Sequence, residues 1–152
     1  MLSETATRFR LEMDALRVAL GAVSDAFANI PWRDGGWTRK QILGHLLDSA
    51  TNNRQRFVRA AIDGLYTGPS YAQEAWVEAH GYEQQPWKRL VDWWGVEHDI
   101  LIAVVDRIAE DRMDAPCNVG QDPAVTLRYL IEDYARHQDW HIKQISAPVS
   151  GS

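Results

Sequence analysis

Cysteine is nearly absent from this chain: Cys117 is the only one. Without a second thiol there is no intrachain disulfide, no Cys-x-x-Cys redox pair and no cysteine-built zinc site. Long apolar runs are missing too. The longest, over residues 100–105, falls far short of the roughly 20 residues that a bilayer-crossing helix needs. The chain opens Met1-Leu2-Ser3-Glu4-Thr5 and not with the basic, then apolar, stretch of a secretory signal. These absences make the cytoplasm the expected compartment. Positive charge is also in deficit. Sixteen Lys and Arg against 21 Asp and Glu give a net charge of −5, so we expect neither nucleic acid nor a membrane surface as partner. Phenylalanine is scarce at three while tryptophan stands at seven. An indole has an apolar body and an N–H, which suits either a cleft wall or a core. No repeat or linker divides the sequence, and one domain over residues 1–146 with a mobile tail over 147–152 is expected.

What the chain does have is helical periodicity throughout. Residues 5–28 carry Phe9, Met13, Leu16, Leu20, Val23 and Phe27 at spacings of three and four, a single apolar stripe. Pro31 and Gly35-Gly36 interrupt it. Thr38, three residues before Gln41, reads as a capping box opening a second helix that runs to about Asp63 and stops at Gly64. Residues 64–85 are irregular, with Gly64, Gly68, Pro69 and Gly81 around a short helical stretch at 71–80. Pro86 suits the first turn of a third helix reaching about Glu110. A loop over 111–125 follows, and Thr126, or alternatively Asp122, opens a fourth helix to about Ile145. No stretch alternates with period two. The expected fold is all-α, a four-helix bundle.

The histidines carry the chemistry. His137 and His141 are spaced i, i+4, about 40° apart around the fourth helix. They fall on the side of Leu127, Leu130, Tyr134 and Ile145, opposite Glu132, Arg136, Asp139 and Lys143. An unpaired polar ring within an apolar stripe is costly, so the pair either hydrogen-bonds in the core or holds a metal. On the second helix, His45, Ser49, Asn52 and Arg56 form one line beside Ile42, Leu46, Ala50 and Phe57. Such a row faces either a cavity or solvent. His45 sits about 10 Å from the start of its helix, and His137 and His141 about 6 to 12 Å from the end of theirs. They are level only if helices two and four are antiparallel, which makes helices two and three parallel. Residues 64–85 are long enough to cross the bundle between them. The expected topology is up-down-down-up.

The segment Gly36-Trp-Thr-Arg-Lys-Gln-Ile-Leu-Gly-His45-Leu-Leu-Asp-Ser49, followed by Asn53 and Arg56-Phe57, resembles the second-helix signature of the DinB-like superfamily. Within that superfamily it is most similar to the YfiT-like branch of metal-dependent hydrolases. Residues 134–145, with His137 and His141, resemble the family's last helix. The resemblance covers nearly the whole chain in order. It implies an up-down-down-up bundle, metal-binding histidines at His45, His137 and His141, and a divalent ion, nickel or zinc. It also implies metal-dependent hydrolysis or, as in some relatives, transfer of a low-molecular-weight thiol. A homodimer is expected as well, as relatives often form, because Trp93 and Trp94 lie about 100° apart on their helix and cannot both point inward.

Three neutral imidazoles leave open positions on zinc or nickel, the catalytic arrangement and not the closed structural one. Such an ion acidifies water, polarises a carbonyl and binds a thiolate. Hydrolysis and thiol transfer therefore share one set of ligands, and a non-catalytic metal-binding stress protein stands as a third reading. The expected partner is a small molecule, with Asp48, Ser49, Asn52, Arg56 and His98 as candidate substrate or acid–base groups. Arg56 reads as a bidentate carboxylate partner or as a surface arginine. Asp133 reads as an orienter of His137 or as a solvated acid. His98 stands among Val91, Trp94, Ile102 and Val105, as a satisfied core histidine, an acid–base group or a fourth ligand. Cys117 is expected at the far end of the bundle and not as a nucleophile. Trp32, Trp37 and Trp87 are expected at the mouth of the pocket.

Overall fold

The structure is a computed structural model in which residues 1–149 are described; residues 150–152 of the expected tail lie outside them. Four long helices form a bundle: α1 (Glu4–Gly21), α3 (Arg39–Asp63), α5 (Trp87–Arg107) and α6 (Leu127–Ser146). Two short helices, α2 (Asp25–Ala28) and α4 (Gln73–His80), lie in the connections. Local chemistry sets the boundaries. Ser3 accepts a hydrogen bond from the Ala6 N–H at the head of α1, and Thr126 accepts from Tyr129 at the head of α6. Thr38 and Gln41 make the reciprocal capping box that opens α3, at 3.1 and 2.9 Å. Gly64 ends α3 at φ 79°, a left-handed conformation that glycine adopts without a steric penalty.

The first helix is shorter than its apolar stripe suggests. It stops at Gly21, and Ser24 starts α2 by accepting from the Phe27 N–H at 3.1 Å. A side-chain oxygen that satisfies an orphan N–H competes with continuation of the preceding helix. The third of the long helices, α5, likewise ends at Arg107 rather than near Glu110, where a 3₁₀ turn (Glu110–Arg112) takes over.

Hydrogen bonds at the helix ends fix the topology. Asp25 Oδ1, just after α1, accepts from the Trp87 N–H at the start of α5 and pairs with Lys40 at the start of α3. Arg39, also at the start of α3, donates from Nε to the Ile145 carbonyl at the end of α6, at 2.7 Å. At the opposite end the Ser3 N–H donates to Asp106 Oδ1 at the end of α5. Helices α3 and α5 therefore run parallel to each other and antiparallel to α1 and α6. The bundle is up-down-down-up, and residues 64–85 travel its length as the matching of histidine levels required. Gly44 lets the crossover lie close, since a Cβ there would collide with the Tyr82 ring.

A small three-stranded sheet was not legible in the sequence. β1 (Tyr66–Thr67) pairs parallel with β2 (Pro116–Asn118), which pairs antiparallel with β3 (Val125–Thr126). Strands of two or three residues are too short to show a period of two. The sheet ties the crossover to the α5–α6 connection and buries Cys117 completely. Burial pushes the Cys117 thiol up, away from the reactive thiolate. The core runs between the four helices through Phe9, Met13, Leu46, Phe57, Trp94, Leu101 and Ile142. Trp94 is fully buried while Trp93 is 38% exposed, as the angle between neighbouring residues demands. Among the described residues no helix is long and apolar enough to cross a membrane.

Candidate metal centre and cleft

Antiparallel packing of α3 on α6 brings His45, six residues past Arg39 on α3, level with His137 and His141 near the end of α6. His45 Nε2 lies 3.2 Å from His137 Nε2. Ligand-capable nitrogens of all three rings fall within 4.8 Å of one another. The rings meet edge to face, with centroids 4.6 to 5.1 Å apart. Two nitrogens bound tetrahedrally at 2.0 to 2.1 Å would stand about 3.3 Å apart. The donor set therefore fits a divalent ion, and no further His, Cys, Asp or Glu joins it among the described residues.

The electrostatics agree. His45 is pushed down to about 3, by burial first and then by the charges that His137 and His141 would carry. His137 is pushed down to about 4 by burial and by His141, against the opposing pull of Asp133. Burial also lowers His141, although its hydrogen bond to Gln144 works the other way. Three neutral imidazoles facing one another are three lone-pair donors, the state a metal requires. His141 Nδ1–H donates to Gln144 Oε1 at 2.7 Å, which leaves Nε2 as its lone-pair donor. Gln144 went unremarked in the sequence, although its i+3 spacing from His141 was there to read. Nδ1 of His45 is buried without a hydrogen-bond partner; the Trp37 ring lies 5.3 Å away, centroid to centroid.

His45 and His137 open onto a cleft of about 250 Å³ between α3 and α6. The α3 wall supplies Ser49, Asn53 and Arg56, and the α6 wall supplies Tyr129, Asp133 and Tyr134. The crossover adds Ser70, Tyr71 and Gln73, and the β2–β3 region adds Val119, Gln121 and Val125. Burial raises the Tyr71 phenol, opposed by a hydrogen bond from Ser49 and by the Arg56 charge. The two connecting segments could not be placed over the cleft from the sequence, because the tertiary fold alone brings them there.

The other sequence candidates divide. Ser49 and Arg56 line the cleft, whereas Asn52 does not; its amide donates to the Asp48 carbonyl within α3, and Asn53 takes the cleft position. Asp48 is buried beneath the crossover, where Oδ1 accepts from the Tyr82 hydroxyl at 2.6 Å. Burial raises its carboxyl, and Oδ2 has no partner. His80 stacks on Tyr82 and approaches the same Oδ1 at 3.5 Å. Asp48 thus anchors the crossover and does not reach the cleft.

His98 is neither a fourth ligand nor an acid–base group of the cleft. It is fully buried, its Nδ1–H donates to the Trp94 carbonyl at 2.7 Å, and Nε2 accepts from the Tyr134 hydroxyl at 2.7 Å. Both ring nitrogens are satisfied within the core, and burial pushes its pKa down to about 4. Asp133 is exposed and pairs with Arg136 rather than bonding to His137. The tryptophans expected at the mouth do not form it. Trp87 is buried in the core, Trp37 packs on His45 and Trp32 lies near Gly36, and none of the three lines the cleft.

A helical bundle of this topology with a three-histidine cluster between its second and last long helices defines a class, and comparison with known proteins places the chain in it. The sequence pattern of the DinB superfamily matches residues 8–145, and the chain belongs to that superfamily. A protein of Geobacillus thermodenitrificans named "Putative metal-dependent hydrolase" is 27% identical over 135 residues, covering 87% of this chain and 75% of the relative. YfiT of Bacillus subtilis, named the same way, is 35% identical over 63 residues, covering 41% of this chain and 35% of its own. The solved structure of YfiT, described as a probable metal-dependent hydrolase with an unusual four-helix bundle topology, superposes with a TM-score of 0.82. The pair shares 20% identity, over 96% of this chain and 87% of that one. The crystal structure of a mycothiol-dependent maleylpyruvate isomerase superposes with a TM-score of 0.78 at 18% identity, over 97% of this chain and 61% of that one.

Proposed function

We propose that this protein is a metal-dependent enzyme that hydrolyses a small molecule at a divalent ion held by His45, His137 and His141. The observation that carries the reading is the cleft. It reaches two of three clustered neutral histidines, and among the described residues no fourth protein ligand closes the set. A structural site has no use for such access; a catalytic one needs it. An ion held by three imidazoles supplies Lewis-acid chemistry, polarising a carbonyl and acidifying water or a thiol. The chain's own residues do the rest. Gln144 holds the tautomer of His141, the neutral rings keep their lone pairs toward the shared point, and Ser49 and Tyr71 offer hydroxyls to a bound molecule. The names of the relatives support hydrolysis.

Thiol transfer is the second reading, favoured by the likeness in fold to a mycothiol-dependent isomerase. One experiment separates the two. Zinc- and nickel-reconstituted protein is assayed against a panel of small esters and amides, then against electrophiles with and without added low-molecular-weight thiols. Turnover of an ester or amide that needs metal and is lost in His137→Ala supports hydrolysis. Metal-dependent consumption of thiol and electrophile together supports transfer. Metal bound in a one-to-one ratio with no turnover in either panel counts for the non-catalytic alternative.

A further inference from the structure

We infer that Arg56 is a carboxylate-binding subsite at the end of the cleft remote from the histidines, so that the molecule bound there is a small carboxylic acid. The inference rests on the proposed function only in taking the histidine end of the same cleft as the place of reaction.

Arg56 is 8% exposed, yet no carboxylate lies within 4 Å of it among the described residues. Its one hydrogen bond among the described residues is a long one, from Nη2 to the Pro69 carbonyl at 3.4 Å. The other N–H groups find no acceptor among the described residues, and the side chain lines the cleft. The contrast with the two other arginines nearest in kind is informative. Arg39, fully buried, donates to four backbone carbonyls. Arg54, also on α3, pairs with Glu97 at 2.8 Å. The guanidinium is held at the cleft wall with Nε and Nη1 open to the cleft and no carboxylate beside it, in a chain with an excess of acidic residues. An anion delivered by the ligand supplies the missing partner.

The cleft's charges and shape narrow the ligand. Among the described residues the only other charged one in its walls is Asp133, exposed and paired with Arg136. One planar guanidinium among neutral groups such as Asn53, Ser70 and Gln121 matches a carboxylate of single charge in a bidentate pair. Among the described residues no second cationic side chain stands beside Arg56 to balance a phosphate dianion. Arg56 follows His45 by eleven residues on one helix, a rise of about 16 Å. After the reach of both side chains, a ligand spanning the cleft is extended, with its carboxylate several bonds from the reacting group.

The test uses zinc-loaded protein and three defined probes: 6-mercaptohexanoate, 6-mercaptohexanol and hexanoate. Calorimetry measures affinity, and the Nε–H resonance of Arg56, assigned by its loss in Arg56→Lys, reports contact. The expected result is that 6-mercaptohexanoate binds at least tenfold more tightly than the alcohol. Arg56→Met abolishes this preference and Arg56→Lys retains part of it, with melting curves confirming that each variant folds. Hexanoate that shifts the Arg56 resonance with and without zinc, while neither thiol binds more tightly in the loaded protein, upholds the subsite and counts against the metal centre alone. Equal affinity for acid and alcohol in the wild type, or a preference that persists in Arg56→Met, overturns the inference.

Discussion

His141 and Gln144 form a 2.7 Å hydrogen bond on one face of α6, with the ring as donor and the amide oxygen as acceptor. The bond selects the tautomer that leaves Nε2 unprotonated, a lone-pair donor on a ring clustered with His45 and His137. Partners of this kind tune metal affinity by tenfold to a hundredfold. Gln144→Leu is therefore expected to weaken zinc binding by about that factor, measured by competition with a chromophoric chelator, with the helical circular dichroism unchanged. An unaltered affinity would show that packing against Trp140 alone orients the ring.

Metal should couple to stability. An ion that binds the folded cluster and scarcely binds the unfolded chain adds roughly 2.7 kcal/mol at a free concentration of 100 times its Kd. For a chain of this size that is about 5 to 10 °C in Tm. Metal-free protein at pH 7.5 is expected to melt that much lower than zinc-reconstituted protein. In His137→Ala the two forms should melt together, because alanine keeps the helix while removing the ligand. Identical melting of loaded and metal-free wild type would argue against a pre-formed site.

Arg39 fastens the end of the bundle that carries the histidines. Its guanidinium donates to the carbonyls of Ile30, Pro31, Ile145 and Ala147 and lies over the Phe27 ring at 3.9 Å. A cation at the C-terminus of α6 is also favoured by the helix dipole. Arg39→Met strands several carbonyls and is expected to cost about 2 to 4 kcal/mol in urea unfolding. It should also loosen zinc binding, since the α3–α6 register depends on it. A loss below about 1 kcal/mol would contradict this role.

The buried His98 predicts an acid limb in the stability curve. Its folded pKa of about 4 lies below the ordinary value of 6.5. Between those values the unfolded chain binds more protons than the folded one, so stability rises with pH across that window. The contribution is present above pH 6.5 and is lost as pH falls toward 4, a change of roughly 3 kcal/mol. In metal-free protein, His98→Gln should flatten this limb relative to wild type, read from unfolding midpoints at pH 4.5 and 7. Parallel curves for the two proteins would place the titration elsewhere.

Much of the bundle could be read from local signals. The capping pair Thr38 and Gln41, the stop at Gly64 and the cap at Thr126 act within a few residues, so the sequence states them directly. The break at Ser24 shows the limit of periodicity, because the apolar stripe continues through a chain that does not. Level-matching of His45 with His137 and His141 also worked, since helical rise converts residue number into distance. His98 and Asp48 could not be assigned in the same way. Each sits on a helix face whose character depends on what packs against it, Tyr134 in one case and Tyr82 in the other.

The sequence by itself determined the four long helices and their order, and the resemblance to the DinB-like superfamily pointed to the three histidines; the antiparallel pairing of α3 with α6 followed only on the condition that those histidines meet. The helices follow from spacings of three and four residues, and the length of the crossover permits the topology. Only the tertiary structure decided which polar groups face the cleft. Asn53 replaces Asn52 there, Asp48 turns to the crossover, His98 closes into the core, and Arg56 is left buried without a counterion. The physical reason is that a helical residue has a fixed direction but no fixed surroundings. Whether a polar side chain meets solvent, a partner or a ligand is set by segments distant in the chain, here residues 66–73 and 116–126, which the small sheet draws together over the cleft.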